Sequence, residues 1–477
     1  MSMALLAGID VGTTGVKAIA ITADGDVVAR AERSYPISNP HPGWSEQDPE
    51  DWWRASEKAL AELGGEIAGI GLSGQMHGLV ALDAEDRVIR PAILWNDQRT
   101  GAECAEIEER IGFARLVELT GNRALPGFTA PKLLWLRRNE PEAYERVRHV
   151  LLPKDYVRLR LTGERAIDVA DASGTLLLDV AERRWSDDVL AALELPREWL
   201  PRVLESPEVS GETAEGIPVA AGAGDQAAAA LGVGVVAPGG PASVVLGTSG
   251  VVFAALPTFR ADPEARLHVF CHAVPAGWHA MGVMLSAAGS LQWLRDRLAP
   301  EASFDRLLEE AATWPPGADG LHFAPYLAGE RTPYPDPDVR GAFVGLELRH
   351  DRGALCRAVL EGVAFGLRDS LELLLSLGVE VRVARVSGGG ARGRLWLEIV
   401  ASVLGIPVEL TAVEEGSAFG AALLGGVAAG VFGDVRDAVA RCVRARDTIE
   451  PNPAWAAAYE DGYVRYRRLY PAIKEVL

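Results

Sequence analysis

The sequence predicts an α/β protein of two related domains that face each other across a ligand cleft. Three observations carry this expectation. The chain has 477 residues, too many for one hydrophobic core and enough for two large ones. Its 48% hydrophobic and 24% charged residues match a folded globular protein. A short segment also repeats: Gly12-Thr13-Thr14-Gly15-Val16 returns as Gly247-Thr248-Ser249-Gly250-Val251, each time between two apolar strand-like runs. The shared strand–loop–strand context argues for a duplicated unit in which each copy offers a phosphate-binding hairpin.

Read in order, the chain opens with strands at 5–9, 16–21 and 27–31, joined by the loop 10–15 and a turn at Asp24-Gly25. Strands joined by such short turns are hairpins, whereas a dinucleotide-binding unit would place a helix straight after its first glycine loop. Asp48-Pro49-Glu50-Asp51 supplies an N-cap, a proline at the first helical position and acidic residues in the first turn, so a helix is expected to residue 63. Strand 67–72 leads into the loop 73–78, and the apolar segment 92–95 leads into 96–99. Polar loops after strand ends are where α/β proteins usually hold ligands. The Gly/Pro-rich segment 236–241 is the natural boundary and hinge, dividing the chain into domains at 1–240 and 241–477. In the second half a long helix is expected at 354–377 and a strand at 383–386. The glycine loop Ser387-Gly388-Gly389-Gly390-Ala391 follows, then a helix at 395–404 stopped by Gly405 and Pro407.

The formal net charge is −19 and no Lys/Arg-rich block occurs, so a nucleic-acid partner is not expected and any phosphate must be held locally by loops. Lysine is scarce, with only Lys17, Lys58, Lys132, Lys154 and Lys474, so each carries slight information beyond an Arg-biased composition. Cys104, Cys271, Cys356 and Cys442 lie far apart without the paired spacing of a zinc or redox site, in keeping with a reducing cytoplasm. The apolar run 4–9 is interrupted by Asp10 and lacks the basic start and cleavage site of a signal peptide, so a cytoplasmic location is expected. No charged residue occurs between Asp225 and Arg260, but Pro238, Gly239, Gly240 and Pro241 break that stretch into buried strands rather than a membrane span.

Asp10, Gly12, Thr13 and Thr14 put a carboxylate at a strand end beside backbone amides and hydroxyls, a set that suits phosphate oxygens and a divalent cation held directly or through water. An ordinary Asp/Gly hairpin would read the same, and it is the second loop at Thr248 that favours nucleotide binding. Lys17 either adds a positive charge there or is a solvated strand residue. Asp225 follows the apolar run 217–223 and precedes Gln226-Ala227-Ala228, so it falls at a helix N-terminus. There the dipole favours the anion and leaves it to accept a proton, with a plain N-cap as the alternative. Gln75-Met76-His77 and Trp95-Asn96-Asp97 supply the paired donors and acceptors that polyol recognition requires, with a core role for His77 equally open. His268, Cys271, His272 and His279 resemble a zinc site in composition but not in spacing. Gly388, Gly390 and Gly393 satisfy G-x-G-x-x-G between a strand and a helix, with Glu409 about twenty residues on. This is the case for an NAD-dependent oxidoreductase, and it leaves the two Gly-Thr hairpins unexplained.

Two longer motifs add a resemblance. The first is Gly127-Phe128-Thr129-Ala130-Pro131-Lys132-Leu133-Leu134-Trp135; the second is Gly341-Ala342-Phe343-Val344-Gly345-Leu346, continuing to Arg357-Ala358-Val359-Leu360-Glu361-Gly362. They resemble the signature segments of the FGGY carbohydrate kinases, and the likeness runs along nearly the whole chain. It implies two actin-like (ribonuclease H-like) ATPase domains, the first for sugar and the second for nucleotide, with ATP and Mg²⁺ as cofactors. It implies Asp225 as the catalytic base and Asp10 as the catalytic carboxylate on the Mg²⁺ side. Implied sugar contacts are Gln75, Met76, His77, Trp95, Asp97 and Gln226; implied nucleotide contacts are Gly12, Thr13, Thr14, Lys17, Gly247, Thr248, Ser249, Gly389, Gly390 and Ala391. Gln75-Met76-His77-Gly78, the segment 91–97 and Leu152-Pro153-Lys154-Asp155-Tyr156 are similar to the members that phosphorylate D-xylulose. The glycerol-phosphorylating members carry Arg-Glu where Met76-His77 stands. The implied reaction is ATP-dependent conversion of D-xylulose to its 5-phosphate, with L-ribulose or another ketose or polyol as alternative acceptor. Gln226 stands where Asn is common and Gln98 where Gly is usual, both able to retune sugar choice, and Ala354 replaces a polar residue of the second motif. The implied partners are a small sugar and ATP, with neither nucleic acid nor membrane, and a homodimer stays open.

Overall fold

The computed structural model describes residues 4–477. Its first sheet begins with β1 Leu5–Val11, β2 Gly15–Ile21 and β3 Val27–Ser34, an antiparallel meander in which Asp10 faces Lys17 across the ladder. Helix α1 Pro49–Leu63 follows, started by Asp48, whose side chain accepts from the Glu50 amide at 3.0 Å. It buries Trp52, Ala55, Ala59 and Leu63 in the core against the sheet. Strand β4 Ile67–Gly74 returns parallel to β1. After an insertion of short helices and strands come β5 Val209–Glu212, β6 Pro218–Ala220 and β7 Ala223–Gly224. The sheet is seven-stranded, in the order β5-β6-β4-β1-β2-β3 with β7 paired to β4.

The second sheet comprises β8 Ala242–Leu246, β9 Gly250–Leu256, β10 His268–Cys271, β11 Trp278–Met284, β12 Ala384–Ser387, β13 Val408–Thr411 and β14 Ala445–Ile449. Their order is β10-β11-β9-β8-β12-β13-β14. The pairing directions repeat between the sheets. From β3 across to β5 successive pairs run antiparallel, antiparallel, parallel, parallel, antiparallel, and from β11 across to β14 they run the same way. The Gly12 and Gly247 turns join equivalent strands, β1 to β2 and β8 to β9, so the sequence echo marks matching hairpins of a duplicated unit.

The uncharged stretch resolves into helix α2 Asp225–Gly232, the turn at 236–241 and the buried strands β8 and β9. Among the described residues no helix is long and apolar enough to cross a membrane. The long helix of the second half is α3 Arg352–Ser376; beyond β12 a 3₁₀ turn Gly389–Arg392 leads into α4 Arg394–Leu404, ended by Gly405. Helix α5 Gly416–Ala428 then crosses back to lie on β1, β4 and α2. The approach is close because the contacts are glycines: a Cβ on Gly8 would overlap the Ala418 carbonyl, one on Gly71 the Ala421 carbonyl, and one on Gly420 the Ala228 carbonyl. The two halves are therefore tied by a helix as well as by the turn.

Candidate active site

Strands β1, β4 and β7 end side by side, with Asp10 paired to Ser73, and Ser73 and Gly74 paired to Ala223 and Gly224. The segments that follow them, the Gly12 loop, residues 75–77 and Asp225, therefore converge beyond the carboxyl edge of the sheet. Asp10 Oδ2 accepts from Ser417 Oγ at 2.7 Å, at the start of α5, while Asp10 Oδ1 is buried with no partner among the described residues. Burial raises the Asp10 pKa, opposed by the hydrogen bond from Ser417, the nearby Ser73 hydroxyl and the Lys17 charge. An enclosed carboxylate oxygen without a donor, beside hydroxyls and loop amides, fits a hydrated divalent cation.

Asp225 is the first residue of α2, and the capping position is taken by Gly224, which has no side chain to cap with. The plain N-cap alternative therefore drops out. Burial pushes the Asp225 pKa up to about 7, the nearby Asp10 charge adds to this, and hydrogen bonds from Gln226 oppose it. The dipole argument from sequence pointed the other way, and burial together with like-charge repulsion outweighs it. A carboxylate poised near neutrality is suited to take up and release a proton.

Met76 fills the space between two glycines, since a Cβ on Gly174 or Gly224 would press on its side chain. His77 has a left-handed backbone, φ 68°, and its Nδ1 lies 2.6 Å from the Gly174 carbonyl. Facing a carbonyl, Nδ1 carries the proton, which leaves Nε2 as an acceptor. Burial lowers the His77 pKa to about 3, with the Gly174 bond opposing and the charges of Lys132 and Arg331 assisting, so the ring is neutral. The His77 carbonyl accepts from Lys132 Nζ at 2.8 Å and from Thr129 Oγ1 at 3.0 Å. The first motif thus holds the His77 turn in place. Trp95, 43% exposed, donates its Nε1–H to Thr13 Oγ1 at 2.9 Å, and Gln226 is partly exposed beside Asp225.

One expected sugar contact stands elsewhere. Asp97 is fully buried, and its oxygens accept from the Ser45 amide at 2.7 Å, from the Arg99 amide and Nε at 2.9 Å and from Arg99 Nη2 at 2.7 Å. Arg99 in turn lies over Trp44, 3.6 Å from the ring centre, so Asp97 braces its loop and has nothing left to offer a sugar. Gln75 is also enclosed; its amide donates to Gln47 Oε1 at 3.0 Å and to the Gly12 carbonyl at 3.3 Å, while its own Oε1 is buried with no partner among the described residues.

On the second sheet, the Gly247 hairpin and the Gly388 loop border a cavity of ≈ 770 Å³ whose walls include Gly247, Thr248, Gly289, Gln292, Gly389 and Gly390. Gly388 has φ 90°, and a Cβ there would strike the Leu246 carbonyl, so only glycine lets the loop lie this close. Ala391 lines a separate hollow of ≈ 540 Å³ across that loop, and Ser249 sits within the hairpin and not on the cavity wall. Thr14 and Thr248, at the tips of the matching hairpins, are both exposed. Lys17 pairs with Glu32 at 3.5 Å. The cavity has the size for a nucleotide's base and sugar, and neither Asp10 nor Asp225 lines it. Glu409, the carboxylate a dinucleotide reading needs, is bound to Arg385 at 3.0 Å. His268 faces Asn122 Oδ1 at 2.9 Å and His272 the Val235 carbonyl at 3.0 Å, while His279 stacks on Phe253 with ring centres 4.1 Å apart and makes no hydrogen bond among the described residues.

Three contributors escape sequence reasoning. Ser417 has no signal beyond Gly-Ser at a helix start. Lys132 and Lys154 are fully buried, and the scarcity of lysine was the available hint. Lys154 Nζ stands 2.7 Å from each of Asp155, Asp168 and Asp171, so the ammonium already occupies the one cluster of three carboxylates that could suit a metal ion among the described residues. This cluster lies directly below the site, because a Cβ on Gly224 would come 3.2 Å from Asp171 Oδ1.

Residues 5–232 match the N-terminal domain, and residues 242–429 the C-terminal domain, of the FGGY family of carbohydrate kinases. The chain belongs to that family. This kinase is 43% identical to the xylulose kinase of Escherichia coli K12 over 97% of its own length and 98% of the relative's. It superposes on the xylulose kinase of Rhodospirillum rubrum with a TM-score of 0.92 and 34% identity, covering 99% of each chain. It also superposes on a gluconate kinase from Lactobacillus acidophilus with a TM-score of 0.94 and 26% identity, over 99% of this chain and 98% of that one. The fold alone therefore does not choose the acceptor. As an ATP-dependent carbohydrate kinase, the protein works with a divalent metal ion.

Proposed function

We propose that the kinase transfers the γ-phosphoryl group of Mg·ATP to the primary hydroxyl of D-xylulose, giving D-xylulose 5-phosphate. The observation that carries the chemistry is Asp225, uncapped at the start of α2, beside Asp10 and with a pKa of about 7. The choice of sugar rests on likeness to xylulose kinases along the whole chain and on Met76-His77.

In this reading Asp225 orients the hydroxyl and takes its proton as the oxygen attacks. His77 accepts a hydrogen bond from another sugar hydroxyl through Nε2, Met76 supplies the apolar floor, and Trp95 and Gln226 border the sugar. Amides and hydroxyls of Gly12, Thr13, Thr14, Gly247, Thr248 and Ser249 hold phosphates, Lys17 adds charge beside Asp10, and Gly389, Gly390 and Ala391 contact the nucleoside. Asp10 would hold Mg²⁺, directly or through water, and the ion when bound would supply positive charge at the transferring group. Residues 1–240 serve the sugar and 241–477 the nucleotide, with movement about 236–241 excluding water as a competing acceptor. A cytoplasmic setting accords with four buried, unpaired cysteines.

The test is ADP release over a panel of ketoses and polyols with Mg·ATP. D-xylulose is expected to give the highest kcat/KM, and a polyol or another ketose exceeding it by about tenfold overturns the assignment.

A further inference from the structure

Arg331 has no assigned role, and its surroundings are unusual. Among the described residues every other arginine whose side chain lacks a hydrogen-bond or ion-pair partner lies on exposed surface, whereas Arg331 is half-buried and still has none. Burying a guanidinium without an anion is costly unless something else meets its donors. Its immediate neighbour does not. Glu330 Oε1 is taken by the backbone amides of Leu285 at 2.9 Å and Arg331 at 2.8 Å, and burial pushes the Glu330 pKa up to about 8. None of the Arg331 nitrogens is sealed off, so the group opens onto space that solvent or a ligand can reach.

The backbone around Arg331 is rigidly held. Thr332 donates its amide to the Val283 carbonyl at 3.0 Å, at the end of β11, and its hydroxyl to the Arg266 carbonyl at 2.7 Å, just before β10. Strand β10 opens with His268, whose ring is 5.9 Å from that of Phe128, and Phe128 is 4.7 Å from the ring of His77. The loop therefore leans on the strand that faces the His77 wall of the sugar site from the second domain. The charge of Arg331 acts on His77 and on His268, lowering the pKa of each, but is not among the charges acting on Asp225. With its loop tied to β10, whose His268 reaches His77 through Phe128, Arg331 lies toward the His77 end of the site.

We propose that Arg331 is a sugar-binding residue supplied by the second domain, its guanidinium donating to oxygens at the non-reacting end of the ketose. The inference rests on the sugar-kinase reading above. The chemistry is complementary: His77 Nε2 only accepts, a guanidinium only donates, and a hydroxyl next to a carbonyl can donate to the first and accept from the second. Because His77 and Asp225 come from the first sheet and Arg331 from the second, a bound sugar bridges the two halves and favours their closure.

Arg331→Met, Arg331→Lys and the wild type are compared on the acceptor the wild type uses best. The Met variant is expected to raise the sugar KM roughly 10- to 100-fold, the usual loss when a charge-assisted hydrogen bond to a ligand is removed, with a much smaller fall in kcat. The Lys variant is expected to recover part of that loss. ATP affinity measured without sugar is expected to stay at its wild-type value, and the melting temperature to hold or rise, since Arg331 has no protein partner to lose and its charge is unmet. A sugar KM within about twofold of wild type in the Met variant, or an equal loss of ATP affinity, overturns the proposal. If the Met variant misfolds, the Lys variant decides, because a lysine cannot reproduce the two-pronged donor and an unchanged sugar KM there counts against Arg331. A wild type that prefers an acceptor other than a ketose defeats the functional reading, and the KM comparison on that acceptor still judges Arg331. A wild type that phosphorylates no acceptor defeats both.

Discussion

Asp225→Asn keeps the shape of the side chain and removes its ability to take a proton. As a positioned general base, Asp225 is expected to account for roughly 10²–10⁴-fold in kcat. The structure adds a second, opposite consequence for stability. The carboxylate pKa is about 7 in the folded protein and near its ordinary value of 3.8 when unfolded. Between those values the folded state binds more protons, so stability falls as pH rises through the window and the penalty is complete above pH 7. At about 1.4 kcal/mol for each pH unit, the move from 3.8 to about 7 sets an upper bound of about 4 kcal/mol, which water entering the cleft reduces. Asparagine carries no such penalty. The variant is therefore expected to melt higher than wild type at pH 8, with the gap closing toward pH 4. Turnover by ADP release and melting without ligands should be followed on the same preparations across this range, and wild-type kcat should rise as pH passes about 7. Near-normal turnover in a folded variant would remove Asp225 from the mechanism. A melting difference that does not change with pH would refute the account of its buried charge.

His77→Ala is expected to cost roughly 1–3 kcal/mol in sugar recognition while ATP affinity without sugar stays unchanged, both readable by calorimetry. Since burial holds the ring at about 3, far below its ordinary 6.5, His77 stays neutral from pH 5 to 8 and contributes no pH dependence to the sugar KM there. Lys154→Met leaves Asp155, Asp168 and Asp171 without their shared cation and is expected to destabilise by about 3–5 kcal/mol in urea unfolding. Burial already raises Asp171 well above the usual carboxylate range, so Asp171→Asn alone should be mild and should restore part of the stability when combined with Lys154→Met. Thr248→Val should impair ATP use with sugar binding intact; normal nucleotide binding with lost sugar binding would reverse the roles assigned to the two halves.

Local pattern alone determined a good deal about this protein. Strands β1 to β3 follow from short turns between apolar runs, α1 from Asp48-Pro49, and the duplication from one five-residue echo, because each is a matter of backbone propensity and near neighbours. The placement of Asp225 at a helix start is local in the same way. What only the tertiary structure decided depends on burial and on partners distant in the chain. Whether Asp225 is a cap or a free carboxylate turns on Gly224 and on Asp10, some two hundred residues away. Asp97 looks like a ligand-binding residue in a polar loop, and its bond from the Ser45 amide, some fifty residues back, together with the neighbouring Arg99, makes it a brace instead. Ser417 and Arg331 carry no local signal, since the bond to Asp10 and the absence of an anion around a guanidinium exist only once α5 has crossed to the first sheet and β10 has met the His77 wall. Charge and hydrogen bonding act through space, and for those groups sequence distance says nothing about separation.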